Sequence, residues 1–270
     1  MRKYSDNFQD YEENNECKIA LMSRVGDRED QQDCAGFICD DNSCMVVVCD
    51  GMGGHQGGRT ASALATDMLI SQYEQNKNAE YIPDFFISSS QYIDGEVAKL
   101  KDSSGNVMMA GSTMVSAIVR NKCLYWLSVG DSRLYILRNN ELVQATEDHV
   151  YASVLEEKKR SGLISQDEYE KEMKQGEALV SFLGINGLPK ISVNEAPFML
   201  LEGDIVVLMS DGLYKVVPDE EIKSILLNFS NIEDALNALE MKARSIAKRN
   251  YISRDNMTVA IIKIKEGATI

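Results

Sequence analysis

The chain has 270 residues, 44% hydrophobic and 26% charged, enough apolar material for a sizeable core in one large domain or two small ones. Its formal net charge of −14 argues against duplex nucleic acid as a partner, because phosphate-backbone binding calls for a basic face. Only two histidines accompany six cysteines, with no CxxC pair, so a Cys/His zinc site has no support and free thiols in a reducing compartment are expected.

Residues 1–16 are polar and acid-rich, without signal-peptide character, and read as a frayed lead-in to a domain spanning 17–270. Residues 17–23 are a strand candidate. Residues 45–49 (MVVVC) form a short continuous β-branched run suited to a buried strand. A glycine-rich turn at 51–58 leads into an Ala-, Leu- and Met-rich helix from 60 to about 73, and a second helix is expected over 83–100. Three β-branched and aromatic runs follow at 113–120, 123–129 and 133–138. Asn121-Lys122 and Asn139-Asn140 separate them as turn pairs, which describes an antiparallel meander.

From 151 to 177 the composition shifts to Glu, Lys and Gln with helical spacing, and Ser165 to Glu168 is a capping-box sequence. Residues 205–209 are the next buried strand. Pro218 is placed at a first helical position ahead of Asp219, Glu220 and Glu221. A helix over 231–249 and a strand over 257–265 complete the chain. Neither a repeat nor a linker is visible, so one α+β domain is expected. The longest apolar runs are far shorter than the roughly 20 residues a bilayer span takes, and a cytoplasmic protein with no membrane partner is expected.

The sharpest local feature is Cys49-Asp50-Gly51-Met52-Gly53-Gly54-His55, where a buried strand ends in an acid and three glycines in four positions strip away side chains. Such a loop lets a hard cation approach both a carboxylate and a backbone carbonyl. Read alone, it is equally a tight turn whose Asp caps the next helix. The pattern recurs at Met209-Ser210-Asp211-Gly212. Asp255 precedes the last strand, Asp131 follows the 123–129 strand, and Asp33 lies in the loop between the first two strands. Five acids at strand mouths point to one shared carboxylate site, since unpaired acids brought together need a cation.

These segments, in this order, resemble the PPM family, the type 2C metal-dependent protein phosphatases, in its bacterial form. The matching residues are Arg28 to Asp33, Asp50-Gly51-Met52-Gly53-Gly54-His55, Gly111-Ser112-Thr113, Gly130-Asp131-Ser132-Arg133, Thr146-Glu147-Asp148-His149, Ser210-Asp211-Gly212-Leu213 and Asp255-Asn256-Met257-Thr258. The resemblance implies two packed antiparallel β-sheets flanked by helices, with the helical insert as a flap beside the active site. It implies a serine/threonine protein phosphatase, cytoplasmic and monomeric, acting on phosphorylated proteins that include a cognate bacterial-type kinase. A non-catalytic phosphoprotein-binding scaffold of the same fold is the alternative.

The resemblance also implies two Mn²⁺ or Mg²⁺ ions, with Asp50 bridging them, the Gly51 carbonyl on one, Asp211 and Asp255 completing the other, and Asp33 acting through metal-bound water. A hydroxide shared by the ions would attack phosphorus in line. Arg28 would clamp the phosphate, its alternative being a surface ion pair. Asp131 matches a position that helps hold a weaker third ion, its alternative being a structural turn. Arg133 and Asp148 read as a structural ion pair and His149 as a packing or hydrogen-bonding histidine. Three departures stand out: Gln32 where Glu is frequent, Lys215 where an acid is frequent, and Met52 where animal members carry a histidine. His55 is then the candidate acid for the leaving oxygen.

Overall fold

A computed structural model describes residues 2–4, 7–54, 56–77 and 79–267. The strands are β1 (Arg2–Tyr4), β2 (Phe8–Glu13), β3 (Cys17–Arg24), β4 (Asp33–Asp40), β5 (Ser43–Met52), β6 (Gly111–Ser112), β7 (Met114–Arg120), β8 (Cys123–Val129), β9 (Arg133–Arg138), β10 (Glu141–Gln144), β11 (Ser192–Val193), β12 (Phe198–Met199), β13 (Ile205–Met209) and β14 (Met257–Ile264). The helices are α1 (Gly57–Gln75), α2 (Ile82–Val97), α3 (Tyr151–Arg160), α4 (Gln166–Glu172), α5 (Asp211–Tyr214), α6 (Asp219–Asn228) and α7 (Ile232–Asn250).

The strands build two antiparallel sheets. One runs β1-β4-β5-β7-β8-β11, with β6 on β5 and β12 on β8, and the other runs β10-β9-β13-β14-β3-β2. The sheets pack face to face, and α1 with α2 covers one outer face while α6 with α7 covers the other. The chain is thus an α+β sandwich with helices on both sides, as expected.

Burial of both faces explains why the central strands read as unbroken apolar runs rather than as alternations. In β5, Val46 and Val48 point into the core between the sheets, while Met45, Val47 and Cys49 point under α1 and α2. In β13, Val206 and Leu208 face the other sheet, and Ile205, Val207 and Met209 face α6 and α7.

Three expectations are corrected. The segment read as a frayed lead-in contains β2, which pairs with β3 along its length. Phe8 and Tyr11 anchor it to the cores on opposite faces, and its remaining residues are polar because the strand sits at a sheet edge. Asp33 does not lie in a loop but opens β4, a strand that Gly36 and its flanking acids hide from a propensity reading. Pro218 is the cap residue before α6 rather than its first helical residue. The capping box at Ser165 does form, with both reciprocal bonds present, and all six cysteines are free. Among the described residues, no helix is long and apolar enough to cross a membrane.

Candidate active site

The sandwich brings the strand-mouth acids to one end. Asp33 and Asp50 are register partners across β4 and β5, so the two carboxylates are neighbours by sheet geometry alone. The Asp50 backbone is locked in both directions by Thr113, whose Oγ1 accepts from Asp50 N–H at 2.9 Å and whose N–H donates to the Asp50 carbonyl at 2.8 Å. Asp211 opens α5 where β13 ends, and Asp255 precedes β14, the strand paired with β13. An open cleft of about 600 Å³ is lined by Asp50, Gly51, Asp211, Asp255 and Arg28 together. Asp33 sits behind its floor, 2% exposed. Asp131 stands to one side, reached through Tyr214, whose hydroxyl donates to it at 3.2 Å. His55 lies outside the described residues.

The carboxylates disfavour one another's charge. Burial pushes Asp50 well above the usual carboxylate range, and the charges of Asp33, Asp211, Asp131 and Asp255 add to it. Burial likewise raises Asp33 to about 7, against the hydrogen bond from the Ser210 hydroxyl that favours its charged form. Asp131 rises to about 6, through burial first and Asp211 second.

Asp33 belongs to a closed buried ring of hydrogen bonds. The Ser210 hydroxyl donates to its Oδ2 at 2.8 Å, Thr258 N–H donates to Ser210 Oγ at 3.0 Å, and Thr258 and Gln31 both donate to Ser23 Oγ, at 3.0 and 2.8 Å. Gln31 Oε1 closes the ring by accepting Asp33 N–H at 3.0 Å. The other carboxylate oxygen, Oδ1, is buried without a hydrogen-bond partner. An orphaned acceptor of this kind is costly unless something at the site completes it.

The donors converging here are all oxygens, which fits hard divalent cations such as Mn²⁺ or Mg²⁺. Among the described residues, no three acid, His or Cys side chains close tightly enough to hold a metal ion by themselves. Two of the carboxylates are instead drawn onto cationic side chains. Arg28 Nη2 lies 2.6 Å from Asp255 Oδ2, and Lys215 Nζ lies 3.0 Å from Asp211 Oδ2. The ion pair weighed as the alternative for Arg28 therefore exists, and its partner is a cleft carboxylate rather than a surface acid.

The loop carrying Arg28 is held from below by Asn256, a residue whose role does not show in the sequence. Its Oδ1 accepts Gln32 N–H at 2.7 Å, and its Nδ2 donates to the carbonyls of Val25 and Asp30 at 2.9 and 3.0 Å. Arg254 grips Asp27 of the same loop at 2.6 Å. Arg133 and Asp148 form the expected ion pair, at 2.7 Å, and the guanidinium covers the Tyr214 ring at 3.7 Å. His149 is a buried hydrogen-bonding residue, with Nδ1 accepting Gly130 N–H at 3.2 Å and Nε2 2.8 Å from Ser192 Oγ.

Two glycines permit the close approach of these segments. A Cβ on Gly51 would lie 2.1 Å from the Gly58 carbonyl oxygen, and one on Gly212 would lie 1.9 Å from that of Asn256. Gly212→Ala is expected to push the Asp255–Asn256 segment away from Asp211, to cost about 2 kcal/mol or more of stability, and to weaken Mn²⁺ binding. Chemical denaturation and a Mn²⁺ titration of the same variant check this, and unchanged Mn²⁺ affinity would show that the close packing does not set the site.

A sequence profile described as protein phosphatase 2C matches residues 23–244. The chain belongs to the protein phosphatase 2C family. The serine/threonine phosphatase Stp of Listeria welshimeri is 31% identical to it over 226 residues, covering 83% of this chain and 85% of that one. Among solved structures, the serine/threonine phosphatase of S. agalactiae superposes with a TM-score of 0.77 at 22% identity, covering 96% of this chain and all of the other. The catalytic domain of the phosphatase PstP, determined in complex with two manganese ions, superposes with a TM-score of 0.71 at 23% identity over 93% of this chain and 99% of that one. Membership in the phosphatase 2C family agrees with the two-sheet sandwich and with the resemblance carried by the strand-mouth motifs.

Proposed function

We propose that this chain is a metal-dependent phosphatase that hydrolyses phosphoserine and phosphothreonine in phosphoproteins, with Asp50, Gly51, Asp211 and Asp255 as the residues that hold two Mn²⁺ or Mg²⁺ ions. The observation that carries this reading is the convergence of those residues, with Arg28, on one cleft of a phosphatase 2C fold. When bound, the ions supply positive charge and lower the pKa of an attacking water. Every other contribution belongs to the chain. Asp33, fixed by the Ser210–Thr258–Ser23–Gln31 ring, offers its unpaired Oδ1 to the cation site from behind. Arg28, whose side chain is 59% exposed, turns from Asp255 to the phosphate and takes two of its oxygens in a charge-assisted fork. His55 protonates the leaving serine or threonine oxygen.

The single domain takes in β1 and β2 along with the rest of both sheets, and residues 151–177 serve as its flap. The substrates are phosphoproteins, among them a cognate serine/threonine kinase, met in the cytoplasm by a monomer. Relatives whose own names are serine/threonine phosphatases support the substrate class.

Arg28→Ala is expected to raise KM for a phosphothreonine peptide about 10- to 100-fold, the worth of charged hydrogen bonds of roughly 1.5–3 kcal/mol, with kcat changed less. Arg28→Lys recovers part of the loss, because a point charge cannot reproduce the fork. Steady-state kinetics of both variants check this, and an unchanged KM would return Arg28 to a purely structural ion pair. The function itself is tested by phosphate release from that peptide in the presence of Mn²⁺. Wild type is expected to turn over and Asp211→Asn to lose turnover. Full activity in the variant overturns the metal-site reading, and wild-type binding of the phosphopeptide without turnover assigns a scaffold instead.

A further inference from the structure

Lys215 caps α5, four residues after Asp211. Its ammonium is paired with carboxylates from two separate segments, and a third carboxylate, Asp131, touches the neighbouring Tyr214. It lies 3.0 Å from Asp211 Oδ2 and 3.4 Å from Oε2 of Glu177, just beyond the helices of the 151–177 insert. Asp131, two residues past β8, reaches the same short helix through Tyr214, the residue before Lys215. Asp131 is 9% exposed, and one of its oxygens is already committed to the Tyr214 hydroxyl.

Asp131 and Asp211, the two buried or half-buried carboxylates on this side of the cleft, require a cation. A hydrated divalent ion from solution and an ammonium tethered to the fold are the two ways to supply it. The tether decides between them. Lys215 is anchored on the same short helix as Asp211, so its effective concentration at the recess exceeds that of free ions in solution. A divalent ion entering there would also have to displace the ammonium from Asp211 and lose the ion pair they make at 3.0 Å.

We infer that Lys215 is the resident cation of the Asp131–Asp211 side of the cleft, holding with its ammonium the position that a further divalent ion would take. The cleft therefore loads its ions around Asp50 and takes none beside Asp131. This inference rests on the metal-site reading above but makes a separate claim about ion number.

The test is a count of bound Mn²⁺ in the full-length protein, by the loss of the free Mn²⁺ electron paramagnetic resonance signal on titration, with no assay of activity. Wild type is expected to saturate at two ions per chain. Lys215→Asp, which replaces the ammonium with an oxygen ligand, is expected to bind one additional, weaker ion and to lose it again when Asp131→Asn is added. Lys215→Arg, which keeps the charge, is expected to stay at the wild-type count. A third ion in wild type, an extra ion in Lys215→Arg, or an unchanged count in a folded Lys215→Asp overturns the inference. The wild-type count needs no variant to fold. No Mn²⁺ binding by wild type would fell the metal-site reading itself, whereas two ions in both wild type and Lys215→Asp would fell only the role given to Lys215.

Discussion

Replacing Asp50 by Asn is expected to lower turnover of a phosphothreonine peptide on the order of 10³-fold or more, because Asp50 is among the residues proposed to hold the cations that would activate water. The same variant is expected to be more stable than wild type when metal is absent. Burial and four neighbouring acids oppose the charge of Asp50, so a neutral amide of the same shape relieves a repulsion that the wild-type site carries until a cation arrives. Mn²⁺ should then raise the melting temperature of wild type by mass action on the folded state and leave that of Asp50→Asn nearly unmoved. Thermal melts with chelator and with Mn²⁺, run beside the activity assay, give two readouts of opposite sign. A variant that loses activity but keeps the wild-type response to Mn²⁺ would place Asp50 outside the metal site.

Acid is expected to weaken the fold through His149. Burial, with Lys190 adding to it, pushes this imidazole down to about 4 from an ordinary value of 6.5. Its surroundings explain the preference for the neutral ring, since Nδ1 accepts from Gly130 N–H and only the neutral form has that lone pair. Between pH 6.5 and about 4 the unfolded chain binds a proton that the folded chain refuses. Stability is therefore fully present above pH 6.5 and is lost as pH falls toward 4, by roughly 3 kcal/mol for this group. The loss falls at the base of the 151–177 insert, because the His149 backbone accepts from Val180 and donates to Gly130. Urea denaturation across this pH range is expected to show a steeper acid loss in wild type than in His149→Gln. Parallel curves would remove His149 as the cause.

The parts of the fold legible in the sequence are those where one physical demand acts on consecutive residues. Residues 205–209 and 45–49 are buried on both faces, so every position must be apolar and the run announces itself. β2 escaped notice because an edge strand needs only Phe8 and Tyr11 to hold it. β4 escaped because Gly36 and the acids at both ends belong to turns by propensity, and only its pairing with β5 makes them a strand.

The candidate site divides in the same way. Asp50 and Asp211 were legible because each ends a buried run and is followed at once by glycine, and Gly51 and Gly212 must be glycine where backbones approach this closely. The ring of Ser23, Gln31, Ser210 and Thr258 behind Asp33 was not legible. Its members are scattered along the chain, and they meet only through the register of β14 on β3 and the end of β13. Asn256 belongs to a motif that the sequence displays, but its grip on the Arg28 loop depends on backbone groups some 225 residues away in sequence. Lys215 lay between these cases. Its spacing from Asp211 is a helical one that sequence displays, whereas its second partner, Glu177, is brought to it by tertiary structure.

The central claim, that catalysis depends on cations held by Asp50, Asp211 and Asp255, is tested most directly by stripping the protein of metal and following phosphate release from a phosphothreonine peptide as Mn²⁺ is returned. The expected result is no release in chelator and a saturable rise with Mn²⁺ in wild type. Turnover that persists at its full rate in chelator would contradict it.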